Sequence, residues 1–278
     1  MQNTAEEKAI IRLVQVKKSF NGQVVLDGLD LNVEAGKATV VIGPSGCGKS
    51  VLLKHIVGLL KPDSGKVFFR DMEVSAIGEK KLVDVRRRMG FLFQGSALFD
   101  SMTVEQNVCF PLMEHDMGKP QERKQRCREV LSLVGLDGLQ DRYPESLSGG
   151  QKKRVALARA ISLGPEVILY DEPTTGLDPI RADLINELIL KLQGALGVTS
   201  MVVTHDMASA RKVGHRILML HEGRFVADTT PRGLESIDNE VVSRFIHGEA
   251  SKEELSELET GGLTRSGPET SGPESRRR

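Results

Sequence analysis

Gly43-Pro44-Ser45-Gly46-Cys47-Gly48-Lys49-Ser50 sets glycines, a lysine and a hydroxyl at the spacing that phosphate binding needs. Glycine has no Cβ, so the backbone can turn tightly and aim successive N–H groups at phosphate oxygens. A helix opening at Lys49 adds the positive end of its dipole. Lys49 can reach β- and γ-phosphates as a point charge, and the Ser50 hydroxyl can ligate Mg²⁺. The bland alternative, a glycine-rich turn with a solvated lysine, leaves those flanks unexplained. Asp171 and Glu172 follow an apolar run, Val167 to Tyr170. Pro173 turns the chain there, so both carboxylates can face one site. Asp171 then holds Mg²⁺ through water, and Glu172 serves as general base on an attacking water. Cys47, beside a helix start and Lys49, is expected to have a lowered thiol pKa and to be open to modification that ATP would block.

The elements that must position these groups can be read from periodicity. Ala38-Thr39-Val40-Val41-Ile42 is a short, nearly continuous apolar run and predicts a strand buried on both faces. Lys49 to Leu59 predicts a helix stopped near Pro62. Val167 to Tyr170 and Ser200 to Thr204 predict two more buried strands, the second ending at His205. Ile10 to Val16 reads as a strand, and Val24 to Val33 alternates as edge strands do. Ligands of parallel α/β sheets gather at the carboxyl ends of the strands. Between about 95 and 163 strand signals are few, which predicts an inserted helical subdomain. The expected fold is therefore α/β: a P-loop NTPase core with a parallel sheet, an antiparallel β edge subdomain and a helical insertion.

The chain has 278 residues, with Lys+Arg and Asp+Glu both 38. That balance argues against a dedicated nucleic-acid binder, so no nucleic-acid partner is expected. The start lacks a basic stretch followed by an apolar run, so no signal peptide is read. No apolar run approaches the ~20 residues that span a bilayer. Cys47, Cys109 and Cys127 form neither a metal pattern nor a disulfide framework, which suits a cytoplasmic protein. After Gly248 the composition turns polar, with Ser266-Gly-Pro-Glu-Thr270 nearly repeated from Ser271. A nucleotide-binding domain over 1–248 and a disordered tail over 249–278 are expected. Val241, Val242, Phe245 and Ile246 fall at helical spacing, suited either to the domain's own core or to a partner.

Leu147-Ser148-Gly149-Gly150-Gln151 lies about a hundred residues after the phosphate-binding loop. Together the two motifs resemble the ABC ATPases, from about Ile10 to Gly248. The resemblance implies ATP and Mg²⁺ as cofactors. It assigns Gln94, in Phe91-Leu-Phe-Gln94, to a loop touching Mg²⁺ and water, and His205 to the γ-phosphate. Gly176-Leu177-Asp178 looks like the loop that crosses to a partner, and Phe20 is placed like the aromatic that stacks on adenine. Val51 stands where the family usually has Ser or Thr. Ser148 with the N–H groups of Gly149 and Gly150 makes a second anion site at a helix start. Since Lys49 already serves this chain's own ATP, the second site implies a second copy of the chain.

Phe93 to Val108, followed by Phe110-Pro111-Leu112, resembles the ATPases of Mla phospholipid-transport systems. That implies a polytopic membrane permease, a lipid-binding MCE-domain protein, in some systems a STAS-domain protein, and a place on the cytoplasmic face of the inner membrane. Import of an amino acid or another polar solute would use the same motifs. A soluble ABC protein usually carries tandem domains or a long coiled coil, and neither is present in this sequence. A P-loop small-molecule kinase would lack the Leu147–Gln151 motif and His205.

Overall fold

The structure is a computed structural model and describes residues 9–250. Two strands open it, β1 (Ala9–Phe20) and β2 (Gln23–Glu34), antiparallel to one another. Asn21 and Gly22 join them, both at positive φ (50° and 82°), as a tight hairpin turn requires. Both strands outrun the expected Ile10–Val16 and Val24–Val33. With β4 (Ser64–Phe69) and β5 (Met72–Glu73) they form a sheet of order β2-β1-β4-β5, antiparallel throughout.

The second sheet comprises β3 (Ala38–Ile42), β6 (Met89–Leu92), β7 (Val167–Asp171), β8 (Thr199–Thr204), β9 (Arg216–His221) and β10 (Arg224–Thr229). Its order is β10-β9-β3-β8-β7-β6, parallel except for β10. Every residue of β3, β7 and β8 is buried, as continuous apolar runs predict. Register aligns their carboxyl ends: Ile42 pairs with Thr204, and Asp171 with Val203.

Helix α1 (Lys49–Ile56) is one turn shorter than the expected Lys49–Leu59, because Gly58 leaves the helix at φ 69°. Its Leu52, Leu53 and Ile56 share one apolar cluster with Ile11, Leu13, Val67 and Phe69 of the first sheet and Val41, Leu169 and Val203 of the second. Full burial contributes about 1.5–3 kcal/mol for each such side chain. After α2 (Glu79–Arg87) and β6 the chain is helical until β7: α3 (Val104–Glu114), α4 (Pro120–Leu133), a 3₁₀ turn (Pro144–Ser146) and α5 (Gly149–Ile161). This is the helical insertion. α6 (Pro179–Leu196) and α7 (Met207–Val213) cover the sheet after β7 and β8. Packing sets off the chain from Asn239 as a second unit. Within it, α8 (Glu240–His247) is capped by the Asn239 side chain and ended by Gly248 at φ 71°. The tail expected over 249–278 lies outside the described residues, apart from its first two.

One expectation is overturned. Cys109 on α3 and Cys127 on α4 form a disulfide, with Cα atoms 5.8 Å apart. Antiparallel packing of two helices, which cysteine spacing does not encode, brings them face to face.

The glycines of the loop after β3 differ in what holds them. A Cβ on Gly43 would lie 2.3 Å from the Leu220 carbonyl oxygen, whereas one on Gly46 would meet nothing within 4 Å. Gly46 sits at φ 81°, so Gly46→Ala should cost only the backbone conformation, roughly 1–2 kcal/mol. Gly43→Ala should cost clearly more, because β9 backbone must shift. Chemical denaturation of both variants checks this; equal losses would contradict it.

Candidate functional site

The phosphate-loop residues ring the carboxyl end of β3. Gly48 precedes α1 at φ 104°, and a Cβ there would press on Val25 and Leu26 at 2.9 and 3.1 Å. No side chain caps α1 and no acid lies in its first turn. Its leading N–H groups therefore point outward from a glycine cradle, the arrangement that accepts a phosphate. Ser45, Gly46, Gly48, Lys49, Ser50 and Val51 line a cleft of about 340 Å³ together with Val25, Gln94, Glu172 and His205. Gly43, Pro44 and Cys47 complete the loop without lining the cleft. Phe20 does not line it either; it is exposed, with the Lys18 ammonium 5.4 Å from its ring centroid.

Six polar side chains meet around the end of β7: those of Ser50, Asp171, Glu172, His205, Thr175 and Lys49. Ser50 Oγ donates to Asp171 Oδ1 at 2.7 Å. A hydroxyl and a carboxylate side by side are the hard oxygen donors that fit Mg²⁺, which takes few protein ligands and shares phosphate oxygens. Among the described residues no group of three or more His, Cys, Asp or Glu side chains could hold a metal. Glu172 is buried, and its Oε2 lies 2.9 Å from His205 Nδ1 and accepts from the Thr175 hydroxyl at 3.2 Å. Its Oε1 lies 3.5 Å from Lys49 Nζ. The ammonium also donates to the carbonyls of Gly43 and Pro44 at 2.8 and 2.9 Å. Lys49 thus ties its own loop to Glu172. Glu172 reaches its place through a left-handed backbone, φ 49°, unusual for a residue with a Cβ. That conformation, more than Pro173, lets neighbouring Asp171 and Glu172 both serve one cleft.

The remaining predicted residues lie apart from the cleft. Ser148 Oγ caps α5 by accepting from Gln151 N–H at 3.3 Å, and Gln151 Oε1 accepts from Ser148 N–H at 2.9 Å. The N–H groups of Gly149 and Gly150 are outside this reciprocal cap. Asp178 caps α6 through the Arg181 N–H and pairs with the Arg181 side chain. A Cβ on Gly149 would lie 3.6 Å from Leu177 Cδ2, so the starts of α5 and α6 are neighbours. Neither start lines the cleft that holds Lys49.

Two electrostatic features follow from burial. Burial pushes the Asp171 carboxyl above its ordinary pKa, against the Ser50 hydrogen bond and nearby lysines. The Cys47 expectation is overturned: burial raises its thiol pKa, outweighing the Lys49 charge. Two further residues reach the site without having been expected there: Thr175, whose hydroxyl donates to Glu172, and Lys153 of α5. Lys153 donates to the Gln94 and Glu172 carbonyls at 3.2 and 3.3 Å. Its signal was present in the sequence: it lies on the apolar stripe of α5 with Ala156, Leu157 and Ala160.

Comparison with known proteins defines the class. The family model described as ABC transporter matches residues 26–175, more than half of the chain. The chain belongs to that family and is one of its ATPases. It is 40% identical over 242 residues to the intermembrane phospholipid transport ATP-binding protein MlaF of Haemophilus influenzae, covering 86% of this chain and 91% of that one. It is 38% identical to a probable ribonucleotide transport ATP-binding protein of Mycobacterium leprae, over 86% of this chain and 69% of the relative. It is 41% identical to the methionine import protein MetN of Mesorhizobium japonicum, over 78% of this chain and 59% of the relative. Among solved structures it is similar to a dimeric ATP-binding cassette in a post-hydrolysis state with ADP and Pi. There the TM-score is 0.74 and the identity 35%, over 80% of this chain and 99% of that one. Among the described residues no helix is long and apolar enough to cross a membrane.

The raised Asp171 pKa has a definite sign. The folded chain binds that proton more tightly than the unfolded chain, so burying the charge costs stability at neutral pH and the cost fades as pH falls through the folded value. Asp171→Asn keeps an acceptor for Ser50 and removes the charge. With chelator and no nucleotide, its melting temperature at pH 7 should rise, while MgATP binding weakens; a lower melting temperature would contradict the account. Cys47, the free thiol, should alkylate slowly at neutral pH and faster above pH 9. Rapid maleimide labelling at pH 7 would overturn the burial argument.

Proposed function

We propose that the chain hydrolyses MgATP at a site shared between two copies and so drives a membrane permease. The observation that carries this reading is the carboxylate of Glu172, held by His205 and Thr175 at the cleft beside the phosphate loop. In the proposed reaction the loop N–H groups, Lys49 and Ser50 bind the phosphates of ATP. A water attacks the γ-phosphorus in line and gives its proton to Glu172, and the bond to the β-phosphate oxygen breaks, leaving ADP and phosphate. His205 and Thr175 orient the carboxylate. Gln94 lines the cleft, where it can position the water. Mg²⁺, held by Ser50 and through water by Asp171, would neutralise charge on the phosphate oxygens. Phe20 would stack on adenine from the end of β1.

The second anion site supports pairing. Gly149 and Gly150 offer N–H donors on a face of the chain apart from the cleft, beside Asp178. A two-fold pair would set each such face against the partner's cleft, completing two sites. Closure by ATP and release after hydrolysis would then move the permease.

The cargo reading is phospholipid transport, with MCE-domain and STAS-domain proteins as further partners and the cytoplasmic face of the inner membrane as the place of work. The stretch after Gln94 supports it, as does the near full-length match to the Haemophilus relative. Import of methionine or another polar solute is the second reading, favoured by comparable identities, 41% and 38%, to the relatives named for methionine import and ribonucleotide transport. Mass spectrometry of the membrane subunits that co-purify separates the two. A permease accompanied by an MCE-domain protein supports the first; one served by a solute-binding protein overturns it.

Glu172→Gln should bind MgATP as wild type does, lose at least a hundredfold in kcat, and elute as a dimer at saturating ATP. A monomer under those conditions would sink the shared-site reading. Ser148→Arg should leave ATP binding to a single chain intact and abolish turnover; retained turnover counts against it.

A further inference from the structure

Helix α5 opens at Ser148 and carries Lys153 to the backbone of Gln94 and Glu172, two residues that line the cleft. It packs closely on β6: a Cβ on Gly90 would lie 2.6 Å from the Ala160 carbonyl oxygen. From this helix three cations reach backbone carbonyls: Arg154 donates to those of Val134 and Gly135 after α4, and the other two go to the turns after β6 and β7. Lys153, 5% exposed, donates to Gln94 O and to Glu172 O. Arg159 donates to Ser96 O at 3.0 Å. Both targets are turns with non-glycine residues in the left-handed region: Glu172 at φ 49°, Ser96 at 64° and Ala97 at 48°. Such turns persist only where their surroundings hold them.

The Glu172 peptide is anchored on both sides. Its N–H donates to Val203 O of β8 at 2.9 Å, and its carbonyl accepts from Lys153. A lysine ammonium has three donors and no acceptor, so carbonyls are natural partners when it is buried. Burial lowers the Lys153 pKa, and the Glu172 and Asp171 carboxylates oppose that shift. The same ammonium bridges to the Gln94 turn, so one side chain touches the backbone of both residues that flank the attacking water in the proposed reaction.

We infer that Lys153 is a positioning residue for hydrolysis: it ties the start of α5 to the backbone of Glu172 and Gln94, so the aim of the general base follows the helix that begins at Ser148. This rests on the hydrolytic reading given above. It adds a direct path, within one chain, from the proposed partner-facing glycines to the proposed base.

Lys153→Met keeps the aliphatic stem and removes the donors. In the full-length chain kcat should fall at least tenfold, while KM and the Kd for MgATP change less than twofold. In a Glu172→Gln background the same change should cause no further loss of kcat, because it acts through that carboxylate. A merely structural role would lower melting temperature and affinity together and leave kcat per folded chain intact; that result overturns the inference. Should Lys153→Met not fold, Lys153→Arg retains a cation but moves the donors outward. A kcat reduced at least threefold with unchanged Kd sustains the inference, and unchanged kcat overturns it. Wild type and Glu172→Gln are run alongside. If Glu172→Gln is inactive and Lys153→Met is not, this inference alone fails. If wild type does not hydrolyse ATP, or Glu172→Gln matches it, the hydrolytic reading fails and this inference with it.

Discussion

Hydrogen bonding among β3, β8 and β7 sets the height at which three loops leave the sheet. Ile42 is paired with Thr204, and Asp171 with Val203, so the chain exits at Gly43, Glu172 and His205 along one edge. Parallel strands impose this, because each crossover helix returns the chain to the opposite end. A slip of one residue in β7 would turn Asp171 away from Ser50 and separate Glu172 from His205. The full burial of all three strands makes such a slip costly, since it would turn a new set of side chains into each packed face.

Bringing ionisable groups to a buried edge creates an electrostatic problem that the fold answers by pairing. Glu172 is shared by Lys49, His205 and Thr175, and Asp171 by Ser50. Asp171 still shows the strain in its raised pKa. A site that is destabilising when charged is suited to binding: a bound cation such as Mg²⁺ would complete what the chain leaves unbalanced. The left-handed turn at Glu172 belongs to the same pattern, conformational free energy held at the cleft by anchors on β8 and α5.

Much of this was legible in the sequence because local chemistry and periodicity agreed. The continuous apolar run of β3 gave its bounds to the residue, and Ser148 caps the helix that its motif predicts. The losses have physical reasons. β1 runs to Phe20 because Asn21-Gly22 can turn with both residues at positive φ, a signal present in the sequence and passed over. The Cys109–Cys127 bond depends on how α3 lies against α4, which spacing along the chain does not carry. Neighbouring charge alone would lower the Cys47 thiol, but burial, a property of the packed loop, outweighs it and raises the pKa. Lys153 was visible only as a charge on an apolar stripe; its partners are backbone carbonyls far away in sequence.

In the proposed function, Lys49 and Ser148 of one chain serve different ATP molecules. Mixing two inactive chains tests it most directly. A Lys49→Ala chain lacks the phosphate lysine but keeps an intact α5 start; a Ser148→Arg chain has the reverse defect. In a shared-site pair, one site gathers both defects and the other gathers none. Each variant alone should be inactive, and the mixture should recover ATP turnover in proportion to the mixed pairs formed. If both variants bind as expected and form mixed pairs, yet the mixture stays inactive, the site does not pass between chains and the account is contradicted.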